Sequence, residues 1–399
     1  MTKTEFLIIG GGVIGVCIAR ELRARYPSEK VILLEKESSA GQHASGRNSG
    51  VLHAGFYYTP DSLKAQFTRL GNQSMHTYCD VKGLRVNRCG KLVVAQDQSQ
   101  LASLDELLRR GLANGVPLHL ISAQEARAIE PRVKTFERAL FSPTTSSLDP
   151  TEVMAAMTRD AVAEGVELRL GEAYVGKTGE TVRSTRDAYQ AKYVVNAAGL
   201  YADRVARDFG FSEHYRILPF KGLYLYSDEP IGAVRTHIYP VPDLRHPFLG
   251  VHYTLTVDGK VKIGPTAIPA FWREQYSGVD RFSGSEFFEI IARQAGLFLS
   301  SSFDFKTLAL RELKKYSKAK MAAEAGELLT GVSAAQFSKW GKPGIRAQLL
   351  DLRKGKLEMD FVLEGDGRSM HVLNAVSPAF TCSIPFSRYV CDRIARQLK

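Results

Sequence analysis

Phe6-Leu7-Ile8-Ile9, running into Gly10-Gly11-Gly12-Val13-Ile14-Gly15, is the stretch on which the rest of the chain turns. The apolar run reads as a short buried strand. Helical spacing follows from Val13 to about Tyr26, closed by Pro27, and Val31-Ile32-Leu33-Leu34 reads as a second strand ending in Glu35. The pattern is strand, glycine turn, helix, strand, with G-x-G-x-x-G at the turn and an acid 20 residues after the last glycine. Gly10 permits the tight turn, Gly12 lets backbone approach a pyrophosphate, and Gly15 lets helix and strand pack closely. The N–H groups of the helix start, from Val13 and Ile14 on, then face the anion with a partial positive charge behind them. Glu35 is expected to accept hydrogen bonds from adenosine ribose hydroxyls, with Lys36 beside it. Its charge opposes a 2′-phosphate, which argues against NADP.

Working outward, 399 residues suggest two domains. An apolar share of 44% leaves ample material for a core. The longest near-apolar run, Phe6 to Ala19, is 14 residues and contains glycines, too short and turn-rich to span a bilayer. Met1-Thr2-Lys3-Thr4-Glu5 leads straight into the first strand, so no secretory signal is expected. Cys17, Cys79, Cys89, Cys382 and Cys391 form no C-x-x-C pair, which fits a reduced, cytoplasmic setting. The formal charge of +11 is spread without a dense basic block. That distribution argues against nucleic acid and leaves a field that attracts an anionic substrate or a membrane surface. No His/Cys/carboxylate cluster has metal-ligand spacing, so no metal is expected.

Residues 36–50 form a long run of small and polar residues, including Ser45, Arg47, Asn48, Ser49 and Gly50. Such a run offers many donors and little bulk, and reads as the second wall of a flavin site. A helix is expected from about Thr59-Pro60-Asp61 to Cys79. Strands are expected around Gly90, then helices over Leu101–Asn114, Ala123–Ile129 and 150–165. Tyr193-Val194-Val195-Asn196 reads as a buried strand ending in Ala197-Ala198-Gly199, small enough for backbone to pass close to a cofactor. Leu223–Tyr226, Phe248–Thr256 and Lys260–Ile263 alternate as in an antiparallel sheet, with Asp258-Gly259 as a hairpin turn. Phe287–Phe298 and Leu308–Glu324 read as helices behind it. Gly344–Gln348, Phe361–Leu363 and His371–Leu373 read as strands, and Ser387–Lys399 as a last helix after the loop Thr381–Pro385. The expected architecture is α/β: a Rossmann-like FAD-binding domain over 1–80, 145–212 and 336–399, interleaved with an α+β substrate domain over 81–144 and 213–335 built on an antiparallel sheet.

Several stretches resemble the FAD-dependent oxidoreductases of the D-amino-acid-oxidase superfamily, and within it the L-2-hydroxyglutarate oxidase/dehydrogenase family. They are Gly46-Arg47-Asn48-Ser49-Gly50-Val51-Leu52-His53-Ala54-Gly55 with Tyr57-Tyr58-Thr59-Pro60, and Cys89-Gly90-Lys91-Leu92-Val93-Val94-Ala95. Ile238-Tyr239-Pro240-Val241-Pro242-Asp243 with Pro247-Phe248-Leu249-Gly250-Val251-His252 belongs to the set, as do Gly344-Ile345-Arg346-Ala347-Gln348 and Asn374-Ala375-Val376-Ser377-Pro378-Ala379. The chain departs from the family pattern at Lys221, where an Arg is usual, at Leu223 in place of an acid, at Thr266 in place of Asn, and at Trp272 in place of Lys.

The resemblance implies FAD and the oxidation of a 2-hydroxy acid, most simply L-2-hydroxyglutarate, with another hydroxy acid or an amino acid as the alternative. It also implies a respiratory acceptor reached by peripheral membrane contact, although oxygen, a quinone and a carrier protein are not distinguished by the sequence. Such chemistry needs a cation for the carboxylate, a base for the hydroxyl proton, and a hydride acceptor. Arg346 is the first choice for the carboxylate because a guanidinium is a planar fork. His53 and His252 are the candidate bases. Lys221 is placed to meet a second carboxylate, with Tyr57 and Tyr239 as weaker substrate contacts. Besides the fingerprint, Ala198, Gly199, Gly344, Arg346, Ser377, Pro378 and Ala379 are expected around the cofactor.

Overall fold

The computed structural model describes residues 1–242, 249–300 and 305–398. Asp243, Pro247 and Phe248 of the family-like stretches, and Lys399 at the end of the expected last helix, lie outside the described residues. The chain divides into two compact units, Met1–Arg47 with Pro150–Pro219 and Arg346–Lys399, and Asn48–Asp149 with Phe220–Ile345. The expected boundaries at 80, 145, 212 and 336 therefore lie at 47, 149, 219 and 345. The largest difference is the stretch 48–80, which belongs to the second unit for a packing reason. Val51–Leu52 pairs with Ser146–Leu148. Ala54 and Phe56 enter a core with Val93, Leu104 and Leu140. The Asn72 side chain donates to the carbonyls of Leu52, His53 and Thr144.

In the first unit, Thr2–Ile9 lies between Val31–Glu35 and Ala188–Asn196 and runs parallel to both. Glu167–Leu170 extends the sheet beyond Val31–Glu35, and Ser369–Val372 extends it beyond Ala188–Asn196, again in parallel. Every residue of Val31–Glu35 is buried, as befits a strand covered on both faces. The helix Val13–Arg25 packs on the helices Pro150–Ala163 and Ala379–Gln397, with Cys17 Sγ 3.8 Å from Met157 Sδ and Ser387 Oγ donating to Ile14 O at 3.5 Å. The chain leaves Thr2–Ile9 toward one side of the sheet and returns later on the other. That reversal makes the carboxyl ends of Thr2–Ile9 and Ala188–Asn196 a topological switch point, the usual place for a ligand crevice in such sheets.

Two helix expectations are corrected. The last helix begins at Ala379 and includes Pro385, instead of starting at Ser387. The proline costs one backbone donor, but burial of Ala379, Cys382 and Phe386, with the Phe386 ring stacked 4.1 Å from Phe361, outweighs that loss. The expected helix Leu308–Glu324 is two helices, Phe305–Leu313 and Lys318–Gly326, joined by a tight turn at Lys314–Tyr316. Ser317 caps the second by accepting the Lys320 N–H.

The second unit is built on an eight-stranded sheet whose inner order is Leu225–Ser227, Val261–Gly264, His252–Leu255, His237–Pro240, Lys91–Val94 and Arg138–Ser142. The pairs are antiparallel except His237–Pro240 with Lys91–Val94, where strands from distant segments meet in parallel. Gly259 makes the expected hairpin at φ +76°. One face of the sheet is apolar: Leu92, Ile238, Tyr253 and Ile263 are buried against Met321 and Ala325. The other face carries buried polar side chains, Lys91, His237, Thr254 and Lys262 among them.

Candidate active site and cofactor cradle

In the first unit the glycine turn has the geometry that the spacing requires. Gly10 holds φ at +109°, and a Cβ there would lie 2.5 Å from Ala197 O. A Cβ on Gly15 would lie 1.9 Å from Gly10 O, so only glycine lets the helix sit this close to the strand. Gly12 is different: its φ is −75°, and a Cβ would meet only Ser45 Oγ at 3.2 Å. It caps the helix with no side-chain hydrogen bond, and no acid occupies the first turn. The first-turn N–H groups have no acceptor within their own helix. One of them, from Val13, donates to Ser45 Oγ at 2.9 Å. Glu35 is buried and accepts the N–H groups of Gly11 at 2.8 Å and Glu37 at 2.9 Å. Burial pushes its carboxyl above the usual range despite those two donors. Lys36 lies 2.9 Å from Glu37 and over the Tyr201 ring. Ala198 donates to Asn196 Oδ1 at 3.1 Å, and Gly199 adopts φ +55° directly after the switch-point strand. Arg47 Nε donates to Gln42 O at 2.8 Å, and Ser377-Pro378 leads into the helix that starts at Ala379. An anion cradle with an acid at its rim fits the adenosine and pyrophosphate half of a dinucleotide.

The polar face in the second unit follows from strand register. Lys91 lies opposite His237, Thr254 opposite Lys262, and Lys262 opposite Tyr226. Ile238 pairs with Tyr253, which sets His237 across from Thr254 and Tyr239 across from His252. Paired residues share a face. A row of Lys91, His237, Thr254 and Lys262 therefore runs across the sheet, with Tyr239 and His252 in the next row. All six are buried. Lys91 places its ammonium 4.7 Å from the Phe56 and Tyr57 ring centres and 4.6 Å from that of Tyr239. Its Nζ has no hydrogen-bond partner among the described residues, nor does the buried Tyr57 hydroxyl. Burial lowers Lys91 to about 7. Lys262 donates to Ser49 O at 3.0 Å and lies 4.5 Å from the Tyr224 ring centre. Burial lowers it to about 8, with Asp149 pulling the other way.

The two buried histidines of this face differ. His237 accepts the Leu255 N–H at Nδ1 and lies 3.2 Å from Ser147 Oγ through Nε2. Both nitrogens are engaged, and burial, with Lys91 and His252 adding to it, lowers its pKa to about 3. It is a neutral structural histidine. His252 faces Gly250 O through Nδ1 at 2.8 Å. A carbonyl only accepts, so Nδ1 carries the proton, and in the neutral ring Nε2 holds the lone pair. Its ring stacks on Tyr239 at 3.7 Å.

The structure thus brings together Tyr57, Tyr239 and His252. His53 follows the strand Val51–Leu52 and is half-buried. Lys221 lies in a different sheet, on the strand Tyr215–Gly222, buried and lowered by that burial. Arg346 is half-buried near the start of the strand Gly344–Asp351, in the first unit, two residues after Gly344. Lys91 and Lys262, which the structure buries on the same face as Tyr239 and His252, were not among the residues singled out from the sequence. The available signal was parity: Lys91 shares its strand face with Val93, and Lys262 sits between the apolar Val261 and Ile263. The departures at Lys221, Leu223 and Thr266 are neighbours: Thr266 Oγ1 donates to Lys221 O at 2.9 Å and accepts the Leu223 N–H at 3.0 Å.

Comparison with known proteins matches residues 5–358 to the family described as FAD dependent oxidoreductase. An L-2-hydroxyglutarate dehydrogenase of Escherichia coli O17:K52:H18 is 35% identical, over 98% of this chain and 93% of that protein. The mitochondrial L-2-hydroxyglutarate dehydrogenase of Bos taurus is 36% identical, over 99% of this chain and 89% of its own length. Among solved structures, the L-alpha-glycerophosphate oxidase of Mycoplasma pneumoniae with FAD bound superimposes with a TM-score of 0.78 at 21% identity, covering 99% of this chain and 95% of that one. The last comparison speaks to fold alone.

Proposed function

The chain belongs to the family of FAD-dependent oxidoreductases, and from that premise we propose that it oxidises a 2-hydroxy dicarboxylate, L-2-hydroxyglutarate, to the 2-oxo acid. One observation carries the substrate class. Lys91, Lys221 and Lys262 are buried, at 0%, 5% and 6% exposure, and none is in an ion pair among the described residues. Burying an unpaired ammonium is costly, and an anionic ligand offsets that cost. The relatives that share the chain's length are named for a dicarboxylate. When bound, FAD supplies the hydride acceptor. The protein's part is to hold the acid by its charges, with Arg346 on the α-carboxylate and Lys221 on the distal one. It also takes the hydroxyl proton, for which Nε2 of His252 and the ring of His53 are the candidates.

Anaerobic bleaching of the flavin by a panel of hydroxy and amino acids tests this reading. L-2-Hydroxyglutarate should bleach fastest. The departures at Lys221 and Leu223 from the family pattern are the feature that favours the alternative, a different hydroxy acid or an amino acid, and faster bleaching by one of those would replace the lead. Arg346→Ala should lower kcat/KM about 30-fold, or about 2 kcal/mol, the lower end of the cost of stranding a bound carboxylate, since Arg346 is only half-buried. Lys221→Ala should penalise L-2-hydroxyglutarate far more than lactate. Equal losses for both would remove Lys221 from the distal carboxylate.

We also propose that electrons leave toward a quinone or another respiratory acceptor, through peripheral contact with the inner face of a membrane. The support is the basic surface and the resemblance to dehydrogenases. Among the described residues no helix is long and apolar enough to cross a membrane. Hydrogen peroxide formed one-for-one with product, at the full turnover rate, would assign oxygen as the acceptor instead.

A further inference from the structure

Nine of the twenty exposed large apolar side chains among the described residues fall between Phe271 and Tyr316. The helix Gly284–Ser300 buries Glu286 and Gln294 beside Ile290 and Leu297, while Phe288 is 73% and Leu299 85% exposed. Glu286 accepts the Arg273 N–H and Gln294 donates to Ala270 O, so the polar groups face inward because backbone partners wait there. Phe288, Ala292, Ala295 and Leu299 recur at helical spacing as an exposed, uncharged stripe. The stripe is continuous with an aromatic cluster, since Phe287 contacts Phe271, Phe282 and Phe288, the latter three all exposed. At its other end Phe298 meets Lys306, whose ammonium lies 5.6 Å from the ring centre. From there the helix Phe305–Leu313 and the turn after it alternate exposed Leu310, Leu313 and Tyr316 with exposed Arg311 and Lys314.

The charges choose the occupant. Among the described acids of this surface, Glu274, Glu286 and Glu312 are buried, Glu289 is bonded to Arg293, and Asp280 is exposed; set against exposed Lys306, Arg311 and Lys314, the rim is net cationic. A second copy docked by two-fold symmetry would set this rim against itself. Exposed aromatic and aliphatic side chains bordered by lysine and arginine match the boundary of an anionic bilayer, acyl chains below and phosphates around. We propose that this surface docks the protein onto anionic lipid, with Phe288 and Leu299 entering the acyl boundary and Lys306, Arg311 and Lys314 meeting headgroup phosphates. The proposal rests on the reading that electrons leave toward a membrane-resident acceptor, and it says which face of the second unit meets the membrane.

The test uses the full-length flavin-loaded protein, sedimented with phosphatidylcholine vesicles prepared with and without phosphatidylglycerol. Binding should require phosphatidylglycerol. Phe288→Glu combined with Leu299→Glu should weaken it at least tenfold. Lys306→Gln, Arg311→Gln and Lys314→Gln should each weaken it about fivefold, equivalent to about 1 kcal/mol per charge. Flavin content and turnover with a soluble dye acceptor should be unchanged in every variant, which shows that the fold is intact. The proposal is overturned if the wild type does not bind, or if the double variant binds as well as the wild type. A concentration-dependent dimer that the double variant abolishes would also overturn it, in favour of a second copy. Acceptor identity is read separately: peroxide formation with vesicle binding retained sinks the respiratory reading and leaves the docking surface standing.

Discussion

Gly12→Ala should give a folded protein that binds FAD at least a hundredfold more weakly, while Gly15→Ala should lose both the flavin and much of its stability. The two glycines serve the turn differently. At Gly12 the backbone is in a region open to any residue, and an added methyl would meet only a hydroxyl oxygen 3.2 Å away. The apo fold therefore tolerates alanine. The methyl would project at the helix start, where a pyrophosphate must approach the N–H groups, and an anion held off by a methyl loses hydrogen bonds worth about 1.5–3 kcal/mol each. Two such bonds account for the hundredfold. At Gly15 the methyl would lie 1.9 Å from the carbonyl of Gly10, a backbone atom that cannot turn aside. The helix Val13–Arg25 would have to lift from the sheet, undoing the burial of its own Cys17, Ile18 and Leu22. Thermal melting of the apo proteins separates the cases: Gly12→Ala should melt with the wild type, Gly15→Ala well below it. Full flavin occupancy in Gly12→Ala would show that the pyrophosphate does not rest on this turn.

That turn was the most legible part of the chain because its constraints are local. A positive φ, a close approach and a strand-helix-strand period are written in adjacent residues. The same holds for the hairpin at Asp258-Gly259. The polar face of the second unit was not legible, because it is a product of register. Lys91, His237, Thr254 and Lys262 come from four strands, one pair of them parallel, and nothing near Lys91 in the sequence announces that His237 will lie beside it. Within its own strand Lys91 looks like the solvated edge of an apolar run. Tertiary packing also overrode local signals at Pro385, where a helix breaker lies inside a helix, and at 48–80, where adjacency to the glycine turn suggested one unit and pairing of Val51–Leu52 with Ser146–Leu148 placed the stretch in the other. The buried histidines illustrate the remaining difficulty. His237 and His252 are two strands' worth of the same chemistry in sequence, and only the partners of each ring nitrogen tell the structural one from the candidate base.

Lys91→Met should stabilise the ligand-free protein by several kcal/mol at pH 7 and lower kcat/KM about 30-fold or more. The stability side follows from linkage. Lys91 is fully buried, and its pKa falls from 10.5 to about 7 on folding. Between those values the unfolded chain holds a proton that the folded chain has released, so stability rises with pH across that window. Below about pH 7 both states are protonated, and the folded one carries the whole penalty of a buried, unpaired ammonium. Lys262, lowered to about 8, adds a similar slope over a narrower window. A shift of this size is worth on the order of a few kcal/mol. Methionine fills much the same volume without charge, so the variant should melt higher at pH 7, and its melting temperature should rise less between pH 7 and 10. The activity side follows from what the ammonium touches. It lies over Tyr239, and Tyr239 carries the stacked His252 ring. Removing the cation loosens that stack and withdraws positive charge from the face proposed to meet the anion. A saturating dicarboxylate should flatten the pH slope of the wild type more than that of Lys91→Met, because the variant keeps buried Lys221 and Lys262 but has one ammonium fewer for the ligand to neutralise. If Lys91→Met is destabilised at pH 7, the ammonium already has a partner in the folded protein, and the case for an anion on this face loses its main support.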